Sequence, residues 1–313
     1  MTNINSVLGP LDTNKLGFTL MHEHVMCAAA GIFKYYPELL GPRVKERILT
    51  ALKQAKEGGI DTIVDGTTFD GDRNVSLLAE VSRESGVNII LAAGWMNPDK
   101  FIGNWSADQF AQLFIREINE GVDGTNIKVG ILKSYADVEG VTPGNEVMLR
   151  AIARAHLRTN IPIMLHSYAA GQVGKQQLRI LKEEGVDLKR VKVDHCLDTT
   201  DVKYLTSLAE QGCYLGVDRC PSFDMKPEDK AKTLKALLDA GWSHRLLPSH
   251  DYILVAFMPH LPPAVQQWLA TSNPHGFLYM KKVIFPMLRE MGVSDDTLNG
   301  LFINNPKNFF EGV

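Results

Sequence analysis

One unit recurs along the chain: a short, nearly continuous apolar run, a turn, then a stretch whose apolar residues repeat at helical spacing. The apolar runs fall at about 18–25, 61–65, 88–95, 129–134, 161–167, 191–196, 214–218 and 246–251. Helical spacing fills the gaps, over about 43–57, 75–85, 107–120, from 143 onward, 174–184, 201–211 and 227–240. Glycines stop several of these: the Gly58-Gly59 pair, Gly86 and Gly185. Ser106 suits an N-cap and Pro143 a first helical turn. A strand apolar on both faces is buried on both faces, as in a parallel sheet covered by helices. Eight such strands close a ring, so the expected fold is α/β, a (β/α)8 TIM barrel forming one domain over 1–313.

The chain has the size for this. A barrel takes roughly 250 residues, and 313 residues at 45% hydrophobic and 22% charged bury a large core. After Asp251 the alternation lapses. Residues 252–275, rich in proline and apolar residues without clean period, read as a lid-like loop over the strand ends. A helix is expected over about 276–291, then two short helices over 295–302 and 305–310 that pack under the barrel. The net charge of −3 with scattered Lys and Arg excludes a nucleic-acid binder. No basic and apolar leader is present, and no run reaches the roughly 18 apolar residues of a membrane helix. Cytoplasmic location and no membrane partner are therefore expected. Cys27, Cys196, Cys213 and Cys220 fit neither a disulfide framework nor a zinc ribbon, and are expected reduced.

Within the first apolar run stands His22-Glu23-His24. Alternate strand residues share a face, so both imidazoles point one way while Met21, Glu23 and Val25 point the other. Two imidazoles converging on one spot can grip a metal, or pack as bonded histidines. Later runs end on further donors: Lys133, His166, His195 and Asp251. The C-terminal ends of barrel strands line one open face, where catalysis is placed. Six such residues on one rim point to a metal site. Asp251 can alternatively cap the next segment, and Lys133 can snorkel to the rim.

The motifs, taken in order, resemble the phosphotriesterase family of the amidohydrolase superfamily, in its phosphotriesterase-like lactonase branch. They are Gly9-Pro10, Thr19-Leu20-Met21-His22-Glu23-His24, Gly130-Ile131-Leu132-Lys133, Leu165-His166, Asp194-His195-Cys196, Gly216-Val217-Asp218-Arg219, Ser249-His250-Asp251 and Asn305-Pro306. The resemblance covers nearly the whole chain. It implies two divalent metal ions, with His22, His24 and Asp251 on the more buried one and His166 and His195 on the other. Zinc is the expected metal, while cobalt, manganese or iron also suit such mixed donors. Lys133 would bridge both ions as a carbamate, which explains a lysine inside a strand. A metal-bridging hydroxide would be the nucleophile, with Asp251 as proton acceptor and Asp198 as an outward relay. Asp198 equally fits a helix N-cap. Arg219 contacts a substrate oxygen or pairs with an acid.

The substrate expected is a small molecule, a lactone or carboxyl ester, with organophosphate triesters hydrolysed promiscuously. Alternatives are a primary phosphotriesterase, a hydrolase of amides or phosphorylated sugar lactones, and a catalytically silent barrel kept as a binding protein. Many members that the chain resembles end the third strand Gly-x-Tyr; here the place reads Gly94-Trp95-Met96. Trp95 and Met96 are accordingly expected to wall the substrate pocket or to pack. A homodimer is the expected assembly.

Overall fold

The computed structural model describes residues 2–96, 98–100, 103–259 and 261–313. A hairpin opens the chain, β1 (Asn3–Ser6) pairing antiparallel with β2 (Gly9–Asp12). Barrel strands follow: β3 (Thr19–Ala28), β4 (Thr62–Asp65), β5 (Asn88–Gly94), β6 (Ile131–Tyr135), β7 (Ile163–His166), β8 (Val191–Val193), β9 (Tyr214–Val217) and β10 (Leu246–Pro248). A further strand, β11 (Ile253–Phe257), completes a sheet of order β10-β9-β8-β7-β6-β5-β4-β3-β11, parallel throughout. With helices between the strands this is the expected (β/α)8 barrel.

The helices begin where their caps put them. Ser106 and Gln109 form a capping box before Ala107–Asn119, and Thr142 with Asn145 forms another before Pro143–Thr159. Val75–Ser85 ends on Gly86 in the left-handed region, which only glycine enters without strain.

The ring closes through an interrupted eighth arm. Where one strand over 246–251 was expected, β10 stops at Pro248 and β11 resumes at Ile253, opposite His24 of β3. The residues between stay tied to β3: the Asp251 amide donates to the His22 carbonyl at 2.9 Å, and the His24 amide to the Tyr252 carbonyl at 2.9 Å. The stretch expected as a loop over 252–275 thus holds β11 and a helix, Pro263–Thr271, residue 260 lying outside the described ones. Pairing with β3 gives Ile253–Phe257 a strand partner that no local pattern announced. The two short helices expected at the end are one helix, Asp295–Glu311, with Pro306 inside it.

That last helix and the hairpin plug the bottom of the barrel. Ile4, Leu11, Phe309 and Phe310 join Met21 and Leu247 in one buried interior cluster. A closed floor leaves the strand C-termini as the open face. Among the described residues no helix is long and apolar enough to cross a membrane.

Candidate metal centre

β3 brings in the first two donors, though not by strict alternation. Its register with β4 shifts between Leu20 and Glu23, so Met21 joins the barrel interior although His22 also faces inward. His22 and His24 still stand together, their rings 5.3 Å apart. Asp251 Oδ1 lies 3.4 Å from His22 Nε2 and 3.3 Å from His24 Nε2. These three residues offer donor atoms within 4.8 Å of one another, enough to hold a cation. Lys133, 2% exposed, sets its Nζ 2.9 Å from His22 Nε2. On the other side His166 Nδ1 and His195 Nε2 face each other at 2.8 Å. His22 and His195 stack at 5.2 Å. All six expected residues are therefore brought together.

The residues behind them fix which nitrogen looks inward. Asp218 Oδ1 sits 2.8 Å from His195 Nδ1 and Oδ2 3.2 Å from His22 Nδ1, so one buried carboxylate holds both rings. His22, His195 and Asp218 also meet a metal-ligand spacing, but Asp218 engages the Nδ1 atoms on the far side. It is better placed as an orienting partner than as a ligand. Thr67 Oγ1, 2.8 Å from His24 Nδ1, does the same for the third ring. Asp137 Oδ2 stands 3.5 Å from His166 Nε2, an ion-pair separation too long for a hydrogen bond. Tyr135, whose ring lies 4.0 Å from that of His166, donates its hydroxyl to Asp137. The sequence reading missed Asp218, Thr67, Tyr135 and Asp137. Asp218 and Asp137 were visible as acids just past strands, whereas nothing marked Thr67.

Glu23 turned away from the histidines for a reason. Its buried Oε1 accepts from Ser249 Oγ, His250 N and His250 Nδ1 at 2.7, 2.9 and 2.7 Å, and Oε2 from Tyr252 N at 2.9 Å. It therefore grips the residues on both sides of Asp251. Asp251, His195 and Arg219 all have φ between 54° and 62°, strained for non-glycine residues. Each lies within three residues of a strand end, where the strain turns its side chain to the open face.

Electrostatics follow the packing. Burial pushes the Lys133 amine below its usual range, against the pull of Asp251 and Asp194. Burial, then His195, pushes His166 well below the usual imidazole value. Burial would raise Asp251, but His22 and the other imidazoles overcome it and hold its carboxyl well below the usual range. His24 is lowered as well, by burial first, whereas His22 is raised: burial and the Lys133 charge oppose this, but Asp194 and Asp251 outweigh them. A depressed amine, imidazoles disfavoured as cations at His24 and His166, and an ionised carboxylate suit metal binding, which must displace any proton from His22. Room exists too: a Cβ on Gly66 would come 2.8 Å from Lys133 Nζ and 2.9 Å from the His22 ring, so glycine leaves that space open. The donor set fits divalent metal.

Asp198 and Arg219 adjoin this set. Arg219 Nε lies 3.2 Å from Asp251 Oδ2 and Nη1 2.8 Å from Asp198 Oδ2, so Arg219 pairs with two acids at once. Asp198 also takes Lys230 Nζ at 2.9 Å. The cap of the following helix is Asp201, not Asp198. Trp95 stands edge-on between Phe69 and Phe110, each at 5.5 Å, which is packing. Met96 donates its amide to Asp70. Its methyl and the Thr67 methyl both border Gly71, 3.3 and 2.9 Å from where a Cβ would stand there.

Known proteins resemble this chain along nearly its whole length. A model described as the phosphotriesterase family matches residues 2–310. A phosphotriesterase homology protein of Mycobacterium tuberculosis is 36% identical over 99% of this chain and 98% of its own. The aryldialkylphosphatase of Saccharolobus solfataricus is 32% identical over 96% of both chains, and human N-acetyltaurine hydrolase 26% identical over 97% and 96%. A structure of the phosphotriesterase from Mycobacterium tuberculosis superposes with a TM-score of 0.92 at 35% identity, covering 99% of this chain and 98% of that one. Fold, family match and whole-length identity agree: the chain belongs to the phosphotriesterase family.

Proposed function

We propose that this family member is a cytoplasmic, metal-dependent hydrolase that opens a lactone or carboxyl ester, with organophosphate triester cleavage as a side activity. The observation that supports it most is the convergence of His22, His24, Lys133, His166, His195 and Asp251 on one spot at the open end of the barrel. A catalytically silent barrel would have no need to retain all six. Two divalent cations, zinc by expectation, would supply an acidified water and polarise the substrate oxygen there.

The chain's own residues do the rest. His22, His24 and Asp251 are the inner ligands in this reading, and His166 and His195 the outer ones. Lys133, whose amine burial shifts toward the neutral form, would take up carbon dioxide at Nζ: an N–C bond forms as one C=O π bond opens, one proton leaves to solvent, and the carbamate would supply two oxygen donors. Asp251, kept ionised, accepts the proton of the attacking water. Arg219 holds Asp251 and Asp198 in line, and Asp198, flanked by Lys230, passes the proton outward. A homodimer is the assembly inferred, for which the exposed Tyr35, Tyr36 and Leu39 offer apolar surface.

The substrate test compares kcat/KM for γ- and δ-lactones, aryl esters, an N-acyl amine and a paraoxon-like triester, in wild type and Met96→Tyr. Lactones or esters should lead, and the tyrosine variant should gain on lactones relative to the rest. A triester preferred by more than about tenfold, roughly 1.4 kcal/mol of transition-state discrimination, would make phosphotriester hydrolysis primary. Amide hydrolysis is the second reading, favoured by the likeness to a relative named N-acetyltaurine hydrolase; a lead for the N-acyl amine would establish it.

A further inference from the structure

Directly beneath the rim, the barrel interior holds a charge pair that no step above uses. Lys192 of β8 and Asp194, two residues on, are both fully buried, next to an interior otherwise filled by side chains such as Met164, Tyr214 and Leu247. Lys192 Nζ donates to the Met21 carbonyl at 2.7 Å and lies 2.6 Å from Asp194 Oδ1. The other oxygen, Oδ2, is 3.3 Å from His22 Nδ1. That nitrogen also faces Asp218 Oδ2 at 3.2 Å. His22 Nδ1 therefore has two carboxylates within 3.3 Å, its hydrogen bond going to Asp218 and Asp194 standing at ion-pair distance, whereas His195 Nδ1 has Asp218 at 2.8 Å with its second carboxylate, Asp251, at 3.8 Å, and His24 Nδ1 faces Thr67.

The fold makes room for this arrangement. A Cβ on Gly216 would fall 2.3 Å from Asp194 Oδ1 and 2.9 Å from the Asp194 Cα, so the neighbouring strand must be bare there. Stability alone does not account for the pair. Burying two charges costs several kcal/mol per ion before their attraction is counted, and apolar residues of equal volume are often as stabilising or more so. The pair's position supplies a different reason. Lys192 is anchored to the carbonyl of Met21, the residue before His22, and its ammonium, 2.6 Å from Oδ1, fixes Asp194 in place. A carboxylate on the outer nitrogen of a metal-bound imidazole sets the ring's orientation and raises its basicity.

We propose that the Lys192–Asp194 pair is a positioning device for the inner metal: Lys192 pins Asp194, whose second oxygen, 3.3 Å behind His22 Nδ1, joins Asp218 in turning a more basic Nε2 toward the cation. Asp194 touches neither substrate nor metal and acts through His22. The proposal rests on His22 being a metal ligand.

The test replaces the pair by near-isosteres without net charge, Lys192→Met with Asp194→Asn, and reads metal binding rather than turnover. Metal-free protein is titrated with cobalt(II) against a competing chelator, the visible absorption of the cobalt site is recorded, and unfolding of the metal-free form is followed in urea. The double variant should bind its tighter cobalt about 10- to 100-fold more weakly, with shifted cobalt absorption bands, while the metal-free form unfolds at the same or higher urea concentration. Asp194→Asn alone, which leaves Lys192 bonded to Met21, should weaken cobalt in the same direction and guards against a double variant that does not fold. Cobalt affinity within about twofold of wild type in folded variant, with an unchanged spectrum, overturns the proposal and leaves a merely structural ion pair. Wild-type protein that takes up no cobalt overturns the metal reading itself.

Discussion

At Lys133 a single side chain carries the argument from burial to chemistry. A lysine with 2% exposure and an imidazole nitrogen 2.9 Å away is not snorkelling. Its amine is shifted down by burial, the direction that favours the neutral form. Lys133→Ala should therefore lower metal content from about two ions per chain and reduce kcat/KM by at least about 10²-fold, as read by elemental analysis and steady-state kinetics. A short carboxylic acid added to the variant should restore part of both, because it can refill the bridging space beside Gly66. Full activity in the variant would show that Lys133 only packs. The cysteines make the opposite point. All four are free and buried, and burial pushes the Cys27, Cys213 and Cys220 thiols up to about 12, so none is an available nucleophile at neutral pH.

Elements depend on a residue that the strand pattern placed on the wrong side of the story. Glu23 points away from its flanking histidines, as alternation requires, yet it ties β3 to the gap between β10 and β11 through four hydrogen bonds. His250 extends the tie. Its Nδ1 engages Glu23 while Nε2 accepts from the Met280 amide at 3.1 Å, at the start of a π-helical turn over Met280–Ile284. One buried carboxylate thereby joins the first strand, the eighth arm and the last barrel helix. Glu23→Gln keeps the shape but sets an amide N–H against these donors. It should lower unfolding free energy by about 1–3 kcal/mol, measured in urea, and should lower metal content because Asp251 loses its flanking clamps. An unchanged unfolding midpoint would show the barrel closing without Glu23.

For the whole molecule, metal and fold are linked. The donors come from β3, β6, β7 and the segments after β8 and β10, so they exist as a set only when the barrel is closed. Ions that bind the folded chain alone stabilise it by RT ln(1 + [L]/Kd), about 2.7 kcal/mol at a hundred times Kd. Treating purified protein with a chelator should lower its thermal midpoint and abolish hydrolysis, and both should return with zinc or cobalt. A midpoint that does not move on metal removal would contradict that coupling. The proposed homodimer is tested independently by sedimentation velocity: twice the mass of one 313-residue chain is expected, and a single-chain mass would overturn it.

Local sequence determined the elements because their causes are local. Eight apolar runs, the Ser106 and Thr142 caps and the glycine stops act within a few residues, and a run buried on both faces can only sit under helices. The six rim donors were legible because a position along a strand is a position in sequence: His22, His24 and Lys133 stand inside β3 and β6, His166 ends β7, His195 and Asp251 follow β8 and β10, and the barrel brings them to one face. What only the tertiary structure decided is set by contacts between distant residues. The tail became one helix because Phe309 and Phe310 found the barrel floor, and the expected loop yielded β11 because β3 extends past its neighbours and offers a free edge. Thr67 behind one histidine and Lys192 under another have no signature in spacing, and Asp218 and Glu23, though visible in the strand pattern, gain their partners only from the fold. Each is defined by a distance that exists only after the ring has closed.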